Sequence, residues 1–147
     1  MVTQMKAARL GQITEEMRAV ATDEGVSPEK VRRGIARGTL IILRNLQHDV
    51  HPLGIGEGTR TKINTNIGTS PDLCDLKLEM EKAEIAAKYG TDTIMDLSTG
   101  GQLDEIRRTL LKTVNVPFGT VPIYQVAVDA TRKRGAIVHM TEDDIFN

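Results

Sequence analysis

The chain has a single cysteine, Cys74, no tryptophan, and so few other aromatic residues that they make up only 3% of its 147 residues. One cysteine excludes an internal disulfide, a zinc site built from cysteines, and an iron–sulfur cluster held by this chain alone. The scarcity of aromatic rings leaves little material for stacking the bases of single-stranded nucleic acid. Its 19 lysines and arginines nearly balance its 20 aspartates and glutamates. The sequence therefore lacks the basic excess of proteins that coat nucleic acid or anionic membranes.

Long hydrophobic runs are also missing. No stretch approaches the roughly 18–20 apolar residues that a membrane span requires. The first residues do not form a basic head followed by an apolar segment, as a secretory signal would. We therefore expect a cytoplasmic protein with no membrane partner. An apolar fraction of 39% and a charged fraction of 27% are typical of a folded chain.

The first 59 residues are predicted to form a small helical domain followed by a linker loop. Thr14 is a candidate cap for a helix over residues 15–24, and the sequence Ser27-Pro28-Glu29 opens a second helix that ends at Gly38. Residues 39–43 are predicted to form a short strand, and residues 44–60 a loop. Within that loop, the glycine-rich stretch 54–58 favours a solvent-facing hairpin or lid, because it lacks the spacing of a nucleotide-binding loop.

From residue 60 onward, strands and helices are predicted to alternate, which indicates parallel βαβ units. The predicted strands cover 61–67, 93–98 and 116–124, and the predicted helices cover 73–89, 103–112 and 125–134. Asn66, Met95 and Tyr124 are 29 residues apart each time, each at the predicted end of its strand. This regular unit suits a (β/α) barrel, whose eight units typically fill about 250 residues.

Three units cannot close such a barrel. The predicted fold class is therefore α/β: a small helical domain over 1–59, followed over 60–147 by the first three units of a (β/α)8 barrel that is incomplete in this chain. Thr141 and the acids after it resemble the start of a further helix, which suggests a fragment; a short terminal turn is the alternative. A partial barrel exposes unpaired strand edges, so we expect oligomerisation or aggregation when the chain is expressed alone.

The candidate site residues each have a structural alternative. Because side chains alternate along a strand, Lys62, Asn64 and Asn66 share one face, which could be a ligand-binding face or an ordinary wet one. The stretch 95–101 (MDLSTGG) could bind an anion at a helix start or could simply form a tight turn. Tyr124 offers a ring and a hydroxyl to a ligand, but its residue type alone favours a half-buried structural tyrosine.

Other residues favour structural interpretations more strongly. His48 and His51 lack a third metal ligand nearby, and Cys74 lacks a basic partner that would activate its thiol. Residues 21–35 have the outline of a helix–turn–helix with basic residues in and after its second helix. DNA binding is the weaker interpretation of this segment, because acids balance its bases.

Several long motifs then resemble one family. They are GIGEGTRTKINTNIGTS at 54–70, MDLSTGG at 95–101, GTVPIYQ at 119–125, DEIRR at 104–108, MTEDDIF at 140–146 and EGVSPEKVRRGIARG at 24–38. In this order they resemble the phosphomethylpyrimidine synthase family of thiamine biosynthesis, over essentially the whole chain. By this resemblance, Asn66, Met95 and Tyr124 match substrate-binding positions, whereas no catalytic residue and no metal ligand is assigned.

The resemblance implies a helical N-terminal domain, a (β/α)8 barrel, a C-terminal cluster-binding segment and a homodimer. It implies a lyase that converts 5-aminoimidazole ribotide to 4-amino-5-hydroxymethyl-2-methylpyrimidine phosphate. The family does so by a radical mechanism with S-adenosylmethionine, a [4Fe–4S] cluster and a divalent metal, zinc.

The chain also departs from the family pattern. It lacks the Cys-x2-Cys-x4-Cys cluster motif, the metal histidines and the residues that hold the substrate phosphate. At 43–48 it has LRNLQH where the family usually has PANINH. We therefore expect the isolated chain to be inactive and to bind no cofactor by itself. The alternatives are a non-catalytic binding or assembly subunit that pairs with a cluster-bearing chain, and a helix–turn–helix DNA-binding protein.

Overall fold

The computed structural model describes residues 2–146, so Met1 and Asn147, which the predicted domain ranges include, lie outside the described residues. The chain divides into two compact units, residues 1–62 and 63–147. The first unit contains α1 (Gln4–Arg9), α2 (Glu15–Asp23), α3 (Pro28–Arg37), β1 (Leu40–Leu43) and β2 (Leu53–Gly56). The second contains β3 (Asn64–Ile67), α4 (Leu76–Lys88), β4 (Thr93–Asp96), α5 (Leu103–Thr113), β5 (Phe118–Thr120), α6 (Pro122–Arg134), a 3-10 turn (Ile137–His139) and α7 (Glu142–Phe146).

Side-chain caps set the helix starts of the first unit. The Thr14 and Ser27 hydroxyls accept hydrogen bonds from the backbone N–H groups of Met17 and Lys30, which satisfies donors that the helix itself leaves free. Gly38 ends α3 in the left-handed conformation, with φ of 78°. These predicted boundaries are confirmed, whereas the short helix α1 was not predicted.

The core of the first unit forms where the inner faces of its helices meet β1. Its buried side chains are those of Ala7, Ala8, Met17, Val20, Ala21, Val31, Ile35 and Leu40. Their spacing within α2 and α3 is that of one helix face.

The loop predicted over 44–60 is wrong where β2 forms, whereas the antiparallel pairing of β2 with β1 agrees with the hairpin alternative for residues 54–58. β2 pairs with β1 in antiparallel register, with Gly56 opposite Leu40. A Cβ on Gly54 would lie 2.4 Å from Cγ1 of Val20, and one on Gly56 would lie 2.2 Å from the Thr39 carbonyl oxygen. These two glycines therefore allow β2 to approach α2 and β1 closely, which is a packing role.

The second unit is built on a parallel three-stranded sheet in the order β3–β4–β5, which confirms the predicted parallel arrangement. Asn66 pairs with Met95, and Met95 pairs with Gly119. Helices α4 and α5 cover one face of this sheet. Its core consists of Ile67, Ala83, Ile94, Ile106, Leu110 and Val114. The fold is thus mixed α/β.

The strand predicted over 116–124 is wrong in its second half. β5 ends at Thr120, and α6 begins at Pro122, which occupies the first helical position. Proline suits this position because its missing N–H would have no partner in the first helical turn. Gly135 ends α6 as predicted, with φ of 87°.

The C-terminal segment forms α7, a helix of five residues, where the sequence predicts the start of a further helix or a short terminal turn. The carboxylate of Asp144 accepts hydrogen bonds from the backbone N–H and the hydroxyl of Thr141, and it also pairs with Arg134. The guanidinium of Arg134 holds the pKa of Asp144 well below its ordinary value. Among residues 2–146, no helix combines the length and the hydropathy needed to cross a membrane.

Candidate functional site

The candidate site is the sheet face of the second unit that α4 and α5 do not cover. Ile67 and Ile94 face the helices and are buried, whereas their sequence neighbours Asn66 and Met95 face the other way. Asn66 is exposed and Met95 is half-buried. Since these two residues are register partners on adjacent strands, their Cβ atoms lie side by side.

The amide of Asn66 is oriented by its neighbours on the same face. The Thr93 hydroxyl donates to Oδ1 of Asn64 at 2.7 Å, and Nδ2 of Asn64 donates to Oδ1 of Asn66 at 2.8 Å. Oδ1 of Asn66 is therefore occupied, and Nδ2 remains available to donate to an external acceptor. Asn64 was predicted to share this face, but its role in orienting Asn66 was not.

The thioether of Met95 lies over Gly119 on the next strand. A Cβ added at Gly119 would lie 2.9 Å from Cε and 3.1 Å from Sδ of Met95. The absence of a side chain at Gly119 thus makes the space in which Met95 lies.

Tyr124 is not at a strand end, so that part of the prediction is wrong. It lies in the first turn of α6, four residues beyond the end of β5, and 40% of it is exposed. The strand register thus joins Asn66 and Met95 directly, whereas Tyr124 is placed by the start of α6 at the carboxyl end of β5.

Lys62 does not belong to the polar face, contrary to the prediction. It precedes β3, and its side chain is only 7% exposed, paired at 2.7 Å with the 4% exposed side chain of Glu24. Burial alone would raise the pKa of Glu24, but Lys62 and the backbone N–H of Arg60 outweigh this effect, so the pKa lies below its ordinary value. This pair joins Lys62 to the end of α2 within the first unit.

The loops that follow β3 and β4 pack tightly against each other. The Thr69 hydroxyl donates to the Gly100 carbonyl at 2.7 Å, and the Thr99 backbone N–H donates to the Thr69 carbonyl at 2.8 Å. A Cβ on Gly100 would lie 2.2 Å from the Ser70 carbonyl oxygen. These contacts favour the tight-turn interpretation of the glycines over the anion site.

The buried carboxylates behind this face had no signal in the sequence. Glu79 of α4 is 2% exposed and accepts a hydrogen bond from the backbone N–H of Gly68 at 2.8 Å. Asp96, at the end of β4, is 1% exposed and pairs with Arg107 of α5. Each contact joins the end of a strand to the helix that follows it, across 11 residues, and neither was predicted.

Of the residues considered for other functions, His51 and Cys74 have ordinary surroundings, whereas Nδ1 of the half-buried His48 has no hydrogen-bond partner among the described residues. Nε2 of His51 lies 2.6 Å from a carboxylate oxygen of Asp23, and Cys74 is exposed. Within residues 2–146, no group of three or more histidines, cysteines and acids is arranged to hold a metal ion.

The basic residues of α3 are largely engaged within the first unit. Arg32 and Arg33 pair with Glu29, and Arg37 pairs with Glu57. Binding DNA through α3 would require these pairs to be broken or shared, so the geometry does not favour that alternative.

A separate cavity of about 650 Å³ lies among β5, α6 and α7. Its lining includes Arg107, Gln125, Asp129 and Ile145. Asn66, Met95 and Tyr124 do not line this cavity.

Comparison with known proteins agrees with the motifs. The Radical SAM ThiC family matches residues 3–147. The chain is 54% identical over 147 residues to phosphomethylpyrimidine synthase of Thermococcus gammatolerans, 56% over 146 residues to that of Pyrococcus furiosus, and 57% over 146 residues to that of Thermodesulfovibrio yellowstonii. Each match covers 99% of this chain and 34% of the relative, so the chain spans about a third of the length of these proteins. The chain belongs to the radical SAM ThiC family.

Proposed function

We propose that this chain supplies part of the substrate site of a phosphomethylpyrimidine synthase, a radical S-adenosylmethionine lyase that acts on 5-aminoimidazole ribotide. The product would be 4-amino-5-hydroxymethyl-2-methylpyrimidine phosphate. The observation that carries the proposal is the pairing of Asn66 with Met95 on the uncovered sheet face. The identity to named synthases supports it independently.

Each of the three residues has a binding role in this proposal. Nδ2 of Asn66, which has no hydrogen-bond partner among the described residues, donates to a ring nitrogen or a sugar oxygen of the ribotide. The polarisable thioether of Met95 packs against the flat imidazole ring. Tyr124 offers a second ring and a hydroxyl. None of these groups generates a radical, so we assign them to binding and orientation.

We further propose that β3, β4 and β5 with their helices are the first three units of a (β/α)8 barrel. Their parallel order supports this assignment, as do the helices on one face and the polar residues on the other. Within residues 2–146, the outer edges of β3 and β5 have no partner strand. Further strands would pair there, in a cytoplasmic homodimer of the complete enzyme. The helical domain and linker would correspond to 1–59 and the barrel part to 60–147.

The residues of this chain do not fit the cluster of the family. A [4Fe–4S] cluster needs three or four thiolates, and the sequence has one cysteine, whose side chain is exposed. We therefore assign the ligands of the cluster, of S-adenosylmethionine and of the zinc ion to residues beyond this sequence. They could follow in a longer chain or belong to a separate chain that pairs with this one as a binding or assembly subunit.

Calorimetric titration of the chain with 5-aminoimidazole ribotide tests the binding role. We expect weak binding, with a dissociation constant on the order of 1 mM, because only part of the site is present. Asn66→Ala should weaken it about fivefold, since a lost hydrogen bond is worth about 1 kcal/mol. Asn115→Ala, which removes an exposed amide elsewhere in the second unit, is the matched control. Binding that is unaffected by Asn66→Ala would contradict the proposal.

An anaerobic assay tests the missing chemistry. The chain alone, given iron, sulfide and S-adenosylmethionine, should form no pyrimidine phosphate from the ribotide. Product above the level of a protein-free blank would show that the chain holds the radical machinery after all.

A further inference from the structure

The carboxyl end of β4 carries a fully buried charge. The Asp96 side chain is 0% exposed and accepts hydrogen bonds from the Ser98 backbone N–H at 3.0 Å, from the Ser98 hydroxyl, and from Nε of Arg107 at 3.2 Å. A buried ion pair is weak evidence of added stability, because removing both charges from water offsets their attraction. The positions in which the pair holds Asp96 and Arg107 are therefore more informative than its contribution to the free energy of unfolding.

Arg107 makes a second contact that reaches the next strand–helix unit. Its Nη1 donates to Oε1 of Gln125, and Nε2 of Gln125 donates to Oδ1 of Asp104 at 3.2 Å. Gln125 directly follows Tyr124 in the first turn of α6. One guanidinium thus joins the end of β4, where Met95 lies, to the turn that carries Tyr124.

The start of α6 has little else to hold it. Val121, at the capping position, makes no side-chain cap, and the first turn contains no acidic residue. Ile123 and Tyr124 are both exposed by 40% or more, so burial does not fix them. The hydrogen bonds of Gln125 to Arg107 and Asp104 are therefore the main side-chain constraint on this turn.

We propose that Arg107 is a positioning residue: by bridging Asp96 and Gln125 it sets the placement of Tyr124 relative to Met95. The expected effect on ribotide binding rests on the proposed function, in which Tyr124 contacts the ligand. The placement of Tyr124 by Arg107 does not depend on that function.

The composition of the chain allows a direct optical test. There is no tryptophan, and the only other tyrosine is Tyr89, which is 80% exposed. In a Tyr89→Phe background, Tyr124 is the only fluorophore with useful emission. Quenching of that emission by acrylamide then reports how accessible the Tyr124 ring is.

The variants distinguish two roles of Arg107, which are pairing with the Asp96 carboxylate and bonding to Gln125 of α6. Arg107→Lys keeps a positive charge for Asp96 but replaces the planar fork that reaches two partners. Gln125→Leu leaves the ion pair intact but removes both the acceptor for Arg107 and the donor to Asp104. Gln125→Glu also loses the donor to Asp104 but retains an acceptor for Arg107, so it isolates the bond to Arg107. Arg108→Lys is the same change as Arg107→Lys at the next, exposed position and serves as the control.

We expect Arg107→Lys and Gln125→Leu to raise the quenching constant of Tyr124, and Gln125→Glu and Arg108→Lys to leave it near the starting value. If Arg107→Lys fails to fold, as judged by circular dichroism, the Gln125 variants decide the question. Equal quenching constants in Gln125→Leu and the Arg108→Lys control would overturn the inference.

Titration with 5-aminoimidazole ribotide distinguishes failure of this inference from failure of the proposed function. We expect Gln125→Leu to weaken binding about tenfold, the scale of one hydrogen bond to a charged group. If the parent chain does not bind the ribotide, the proposed function fails, while the quenching constants still decide the placement of Tyr124. If the parent binds and Gln125→Leu binds equally well, the inference fails and the proposed function stands.

Discussion

Gly119→Ala should move the Met95 thioether with little loss of stability. The new methyl would lie 2.9 Å from Cε and 3.1 Å from Sδ of Met95, which is too close for either atom to stay in place. Overpacking costs about 1–3 kcal/mol, and the lower end applies because the end of a methionine is flexible. The φ of Gly119 is not positive, so alanine also gains about 0.4–1 kcal/mol by restricting the unfolded chain.

The net cost should therefore be at most about 1 kcal/mol, which lowers the Tm of a unit of this size by no more than about 4–8 °C. Ribotide binding should weaken, because Met95 no longer lies where the ligand meets it.

A double-mutant cycle with Met95→Ala provides the control. Met95→Ala deletes both atoms that the new methyl would meet, so Gly119→Ala should then be neutral or stabilising. Chemical denaturation of the four proteins should show a coupling of about 1 kcal/mol. If the two substitutions add to within about 0.3–0.5 kcal/mol, Met95 does not lie over Gly119 and the reasoning is refuted.

Two further predictions concern Asn64 and Glu24. Asn64→Asp should weaken ribotide binding about fivefold. A carboxylate cannot donate to Oδ1 of Asn66, so it no longer fixes the orientation in which Nδ2 of Asn66 faces the ligand. Unchanged affinity by calorimetry would contradict this prediction. Glu24→Gln should destabilise the first unit by about 1–3 kcal/mol, since it removes the counter-charge of the Lys62 ammonium, which keeps the Arg60 carbonyl as an acceptor. The double variant Glu24→Gln with Lys62→Met should recover much of the loss in urea unfolding. The folded-state pKa of Glu24 lies below its ordinary value of 4.5. The contribution of the ionised Glu24 to the free energy of unfolding is therefore present above pH 4.5 and is lost as the pH falls through the folded-state pKa. The double variant should lack this pH dependence.

The elements that the sequence predicted well are those with local signals. Helix ends are marked by contacts within a few residues, as at Thr14, Ser27 and Gly38. The alternation of strands and helices along the chain predicts the parallel sheet. The opposite orientations of Asn66 and Ile67 follow from the two-residue repeat of a strand.

The errors arise where distant contacts decide the structure. The glycines around Gly54 predicted a loop, but the chain there is a strand that pairs with β1. Glycine is required at this strand because α2 and β1 approach too closely for a side chain. Pro122 was interpreted as interrupting a strand, although it starts α6 and so moves Tyr124 onto a helix. The pairing of Asp96 with Arg107 joins a strand to a helix through space, and no spacing rule identifies it.

The methyl resonances of methionine test the central claim most directly. In a chain labelled with [methyl-13C]methionine, the Met95 signal can be assigned by its loss in Met95→Leu, and Met17, which is buried in the first unit, serves as an internal reference. On titration with 5-aminoimidazole ribotide, the Met95 resonance should shift and saturate while Met17 stays fixed, and ribose 5-phosphate, which lacks the imidazole, should shift Met95 much less. A Met95 resonance that does not move with the ribotide, or that moves equally with ribose 5-phosphate, would contradict the account.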